Sequence, residues 1–95
     1  MRILLLLALA AAAGPAGAAE DRPPPGASSC SGCHGPIAGA AVPTLTGLSA
    51  ESIAGALAAF RAGTRPATVM DRIAKGFTEE ESRAIAAWLA ARGGT

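Results

Sequence analysis

The two cysteines and the one histidine of this chain fall within five residues, Cys30-Ser31-Gly32-Cys33-His34. On a helix, residues three and four apart share a face, so both thiols and the imidazole would project to one side. C-x-x-C-H is the attachment signature of c-type haem: each thiol adds to a vinyl group as a thioether, and the adjacent imidazole binds iron. Rival chemistries ask for residues the chain lacks. A structural zinc site normally takes four Cys or His ligands, and only three are present. A thioredoxin-like dithiol needs a βαβ setting, and no stretch after the first apolar block reads as a strand. A plain disulfide in an exported protein, or a motif with no role, completes the list of rivals.

Six-coordinate haem iron needs a second axial donor. The chain has no second histidine, which excludes bis-histidine ligation within it, and Met70 is the only methionine beyond Met1. Thioether sulfur is the soft donor found opposite imidazole in cytochromes c, so Met70 is the expected distal ligand by elimination. Lys75 or an open position are the alternatives, and a packing role is the structural reading of the same methionine.

The elements that must position these groups begin with an export sequence. Met1-Arg2, an unbroken apolar block from Ile3 to Ala13, and the small residues Gly14 to Ala19 read as a secretory signal peptide over residues 1–19. The block is shorter than the ~20 residues of a membrane span, although an uncleaved anchor is the alternative. Cleavage before Glu20 would deliver the chain to the periplasm, and cleavage after Ala18 also suits the small residues. Without Arg2 the basic count falls from 8 to 7 and equals the 7 acids. A near-neutral chain with no basic stripe excludes nucleic acid as a partner. The mature chain lies near or below the roughly 70–80 residues at which one apolar core suffices, so it should need a staple. Phe60, Phe77 and Trp88 are all its aromatic residues, and a covalently held porphyrin would supply the missing apolar body.

Residues 20–26 contain Pro23-Pro24-Pro25-Gly26 and read as an extended linker, so a domain over residues 27–95 opens with a short helix near Ala27 or Ser28. Gly35 to Leu48 reads as a loop over a face of the cofactor, with Val42, Leu45 and Leu48 as its apolar contacts. Ser49 caps a helix whose buried stripe is Ile53, Leu57 and Phe60 and which Gly63 stops. Thr64 to Met70 is expected to be extended, because Pro66 pushes Arg65 out of the helical region. Asp71 to Gly76 suits a short helical turn. Thr78 with Glu81 forms a capping box for a last helix whose apolar face is Ala84, Ile85, Trp88 and Leu89, ending at Gly93-Gly94. The fold class that follows is all-α.

With Cys30 to His34, the loop and Met70 in place, the mature sequence resembles the class I cytochromes c. That resemblance implies a small all-α fold around one covalent haem c, with no turnover chemistry of its own. It also implies that Pro43, in Val42-Pro43-Thr44-Leu45-Thr46-Gly47, offers its carbonyl to the proximal imidazole. The run Phe60 to Phe77 is similar to the distal-ligand segment of the cytochrome subunits of flavocytochrome c sulfide dehydrogenases and of c4-type cytochromes. The implied role is a monohaem electron carrier that takes electrons from a flavoprotein dehydrogenase. A free carrier serving other oxidoreductases, and a five-coordinate haem sensor, are the other functions open to such a chain. One departure from the family is the proline arm, which leaves little helix before Cys30 to cross the last helix.

Overall fold

In the structure, a computed structural model describing residues 22–37 and 41–94, four helices form: α1 (Ala27–Cys33), α2 (Ala50–Ala62), α3 (Met70–Ala74) and α4 (Glu79–Ala91). No strand occurs among the described residues, so the all-α class expected from the sequence is the class observed. The expected signal peptide lies outside the described residues.

The punctuation read from the sequence sets the two long helices. Ser49, in extended backbone, accepts the Ser52 N–H at 3.1 Å through its hydroxyl and so caps α2, with Glu51 in the first turn complementing the helix dipole. Gly63 ends α2 in the left-handed region at φ 75°. At α4 the capping box is complete: Thr78 Oγ1 accepts the Glu81 N–H at 3.1 Å, and Glu81 Oε1 accepts the Thr78 N–H at 3.0 Å. These bonds hold the Glu81 carboxyl below the usual carboxylate range, the backbone N–H of Thr78 being the larger cause.

The core is small. Its buried members are Ala27, Ile53, Leu57, Ala74, Ile85, Ala86 and Leu89, of which only Ile85 and Leu89 are large and fully buried. Helix α2 packs on α4 and α3, and α1 packs on α4. The proline arm therefore does not prevent α1 from meeting the last helix. The buried face of α4 is Ser82, Ile85, Ala86 and Leu89, with Trp88 half-buried beside it. Ala84, expected on that face, is exposed. The stripe follows i, i+3, i+4, i+7 from Ser82, and alanine fits either side of a helix, so its type gave no guide.

The linker enters the domain through Gly26, at φ 87°, where the Ala27 N–H reaches Pro24 O at 3.0 Å. A Cβ at Gly26 would stand 2.5 Å from Cε1 and Cζ of Phe77. Phe77 therefore seats the start of α1 through a contact that only glycine allows.

Two stability predictions follow from these ends. Gly26→Ala should destabilise the domain by ~1–3 kcal/mol, from left-handed backbone and the Phe77 contact together, as read by denaturant unfolding. The Glu81 cap stabilises the fold above the carboxyl's unfolded pKa, and that contribution disappears as pH falls through the lower folded value. Glu81→Gln should accordingly flatten the acid limb of the stability–pH curve, and an unchanged limb would show that the cap is not the cause.

Candidate functional site

Helix α1 ends one residue short of the imidazole. Cys33 is its last residue and His34 is the C-cap, with φ −88° and ψ 74°, its N–H bonded to Cys30 O at 2.8 Å. The helical spacing thus applies to Cys30 and Cys33, whereas the direction of His34 is set by another contact. His34 Nδ1 lies 2.6 Å from the carbonyl oxygen of Pro43. A carbonyl only accepts, so Nδ1 carries a proton, and in the neutral ring Nε2 keeps its lone pair. The ring is half-buried and is held in one tautomer and orientation for binding a metal through Nε2.

The two thiols differ. Cys33 is exposed, and Cys30 is half-buried against the core, where its Sγ–H makes a weak 3.8 Å contact with Gly26 O. Burial pushes the Cys30 thiol up, a backbone hydrogen bond opposes this, and Cys33 adds to it. Both cysteines are free rather than paired with each other. Among the described residues no three His, Cys, Asp or Glu side chains gather as a metal cage.

Met70 was expected in a loop and is instead the first residue of α3, with Val69 as the N-cap. Residues 64–69 have neither helix nor strand, so the expectation differs from the structure at the C-terminal edge of that segment. Met70 is half-buried and packs on the same core as Cys30 and Leu45, which ties the segment after C-x-x-C-H and the Met70 segment to one body. Lys75 is the C-cap of α3 and is exposed. The loop after His34 has neither helix nor strand over 35–37 and 41–48. Within it Leu45 packs on the core, while Val42 and Leu48 are 40% and 42% exposed.

Whether a haem fits these residues can be tested on the surface they leave. Besides Val42 and Leu48, the large apolar residues Ile37, Val69 and Ile73 are exposed. Three of the five follow the C-x-x-C-H segment and two flank Met70. A domain with so thin a core leaves its spare apolar residues on the two segments that carry the candidate ligands, as a large apolar ring held between them would require. Ile37, Val69 and Ile73 do not stand out by sequence pattern, and their nearness in sequence to the candidate ligands is the available signal. In addition, Trp88 Nε1 and Asp71 Oδ1 are buried with no hydrogen-bond partner among the described residues. Arg92 lies over the Trp88 ring at 4.3 Å, and Arg65 over Phe60 at 4.8 Å. A shallow hollow between α2 and α4, lined by Gly55, Ala58, Ser82 and Arg83, holds none of the candidate ligands.

No protein-family model matches the chain. It is 44% identical over 63 residues to the cytochrome subunit of sulfide dehydrogenase of Chlorobaculum tepidum, covering 64% of this chain and 57% of that protein. It is 39% identical over 67 residues to a thiosulfate dehydrogenase electron acceptor of Stutzerimonas stutzeri, covering 64% of this chain and 31% of that one. The chain thus spans a little over half the length of the first relative and about a third of the second.

The histidine clasp yields a prediction. Pro43→Gly keeps the carbonyl but frees φ, so the His34 Nδ1–H should exchange with solvent at least several-fold faster, as followed by NMR. An exchange rate equal to that of the parent would mean that the loop is held in place without the proline.

Proposed function

We propose that this chain, which its likeness to two electron-transfer proteins marks as cytochrome c-like, is a periplasmic monohaem c-type cytochrome that carries single electrons away from a dehydrogenase. The observation that carries the reading is the C-x-x-C-H segment whose histidine is oriented by Pro43 O at 2.6 Å and leaves Nε2 free. Cys30 and Cys33 are the thioether anchors, His34 the proximal ligand and Met70 the distal one. When bound, the haem supplies a one-electron ferric/ferrous couple.

The residues around the couple each have a physical task. Pro43 accepts the Nδ1 proton's hydrogen bond, which raises the basicity of Nε2 and fixes the plane of the ring. Met70, a soft neutral donor, would raise the reduction potential relative to a second imidazole and would compete with any small molecule for the iron. With His34 and Met70 both holding the iron, the chain would have no substrate chemistry of its own and would act as an electron acceptor for partner proteins. Val42, Leu48, Val69 and Ile73, exposed in this chain, would exclude water from a bound haem, which would keep reorganisation small and favour the reduced, less charged state.

The electron donor is proposed to be a flavoprotein that oxidises an inorganic sulfur compound. Both relatives are named for dehydrogenases of such compounds, sulfide in one case and thiosulfate in the other. The resemblance of the Phe60 to Phe77 segment points to the flavin-linked, sulfide-oxidising type. The near-neutral charge of the chain after signal removal favours a dedicated partner over long-range electrostatic exchange. No helix of the described residues is long and apolar enough to cross a membrane, and residues 1–19 are proposed to be removed on export.

Optical spectroscopy of the exported protein tests this reading. A c-type reduced spectrum, a covalent mass gain of one haem, and the weak far-red band of methionine bonded to ferric iron are expected. Met70→Ala should lose that band and bind carbon monoxide rapidly when reduced. Rapid carbon monoxide binding by the parent protein would instead assign an open position and a ligand-binding function. A protein free of haem would return the motif to dithiol or zinc chemistry. A stable complex with a flavoprotein on purification is expected, and isolation of the cytochrome alone would indicate a free carrier.

A further inference from the structure

The end of α4 touches the loop that holds His34. Gly93 N–H bonds Ala90 O at 3.2 Å and Gly94 N–H bonds Leu89 O at 2.8 Å, the two bonds of a Schellman motif, with Gly93 in the left-handed region at φ 68°. Leu89 is 1% exposed, so Gly94 is indexed to the centre of the core. Gly94 is itself buried, at φ 96°, and its backbone lies against the backbone of the histidine loop. A Cβ there would collide with the carbonyl group of Leu45 and stand 2.6 Å from Thr46 N. Backbone, unlike the end of a flexible side chain, cannot swing aside.

The loop beside Gly94 is cross-linked by its own hydrogen bonds. Thr46 N–H bonds Thr44 Oγ1 at 3.2 Å, the Thr44 and Thr46 hydroxyls pair at 2.9 Å, and Leu48 N–H bonds Leu45 O at 3.2 Å. Pro43 fixes its own φ at the start of this unit, two residues before the contact, and its carbonyl holds the imidazole. We propose that Gly94 is a positioning residue for His34: the Gly94 backbone braces Leu45–Thr46, and the brace fixes the length of the Nδ1–H···O=C bond to Pro43. The proposal rests on the haem reading above, in which that bond tunes the proximal ligand.

The chemistry gives the sign. A longer bond makes the imidazole a weaker donor, which stabilises ferric iron less and raises the reduction potential. Gly94→Ala should therefore raise the potential by up to about tenfold in the reduction equilibrium, ~59 mV for one electron, and speed exchange of the His34 Nδ1 proton. Gly93→Ala is the control, since Gly93 is also at positive φ but a Cβ there meets nothing within 4 Å. It should lower the melting temperature through backbone strain and leave the potential and the proton unchanged.

The measurements are made on the haem-loaded protein, beginning with the parent's optical spectrum. If the parent carries no haem, the haem reading fails. Given haem, the two alanine variants are compared by spectroelectrochemistry, NMR exchange and thermal melting. Equal shifts in both variants, or no shift in Gly94→Ala, would overturn the brace. If Gly94→Ala does not fold, a chain ending at Gly93 decides, because it removes the brace without a collision. Faster Nδ1 exchange and a raised potential are expected for it, and parental values for both would overturn the proposal.

Discussion

The bond between His34 and Pro43 is the constraint to which the candidate site is built. It joins the residue just beyond α1 to a loop nine residues later, and it turns a ring with two equivalent-looking nitrogens into one with a defined donor and a defined acceptor. Without it, an imidazole at a helix C-cap could take several rotamers and either tautomer. The rest of the fold can be followed outward from this point. Gly26 and Phe77 seat the start of α1, the Schellman turn of α4 abuts the loop, and α4 packs on both α1 and α2.

The core also explains why so small a domain invites a large apolar cofactor. Three of its seven buried residues are alanines, and its aromatic residues are all only half-buried around it. Ile53 and Leu57 of α2 and Ile85 and Leu89 of α4 supply its large buried side chains, whereas α1 and α3 each bury only an alanine, which gains little from leaving water. Meanwhile Ile37, Val42, Leu48, Val69 and Ile73 remain largely outside. In an ordinary domain such residues would be drawn into the core. Here they sit on the loop after His34 and around Met70, where a covalently anchored ring would bring them under cover.

What the sequence made legible, and what it hid, divides along physical lines. Local signals read well: Ser49 and Thr78 cap their helices through side chains a few residues from the backbone groups they satisfy, and such bonds depend on spacing alone. The pairing of Pro43 with His34 came only from family resemblance, because a loop of this length has many closures. Met70 was misplaced by the effect of Pro66, which constrains the residue before it and says nothing about where the next helix starts. Ala84 and Ala86 could not be told apart, since alanine is indifferent to burial. Gly94 was read only as a helix stop. Its contact with Leu45 and Thr46 is between backbones distant in sequence, and no side-chain pattern encodes it.

The two unpartnered buried atoms follow from the same arrangement. A buried donor or acceptor left without a partner costs ~1–3 kcal/mol, and a domain with so thin a core has little stability to offset two of them. Trp88 Nε1 lies on α4 and Asp71 Oδ1 on the residue after Met70, so the orphaned groups belong to the helix that leads into Gly94 and to the helix that carries the candidate distal donor. Replacing either by an apolar group of similar shape would relieve the cost in the isolated chain. Their retention is understandable if the folded, functional form satisfies them through a polar edge of the bound group or ordered water. On that view the apolar surplus and the polar deficit are two sides of one incompleteness: both would be resolved by a body with a broad hydrophobic face and polar substituents at its margin, as the proposed haem has.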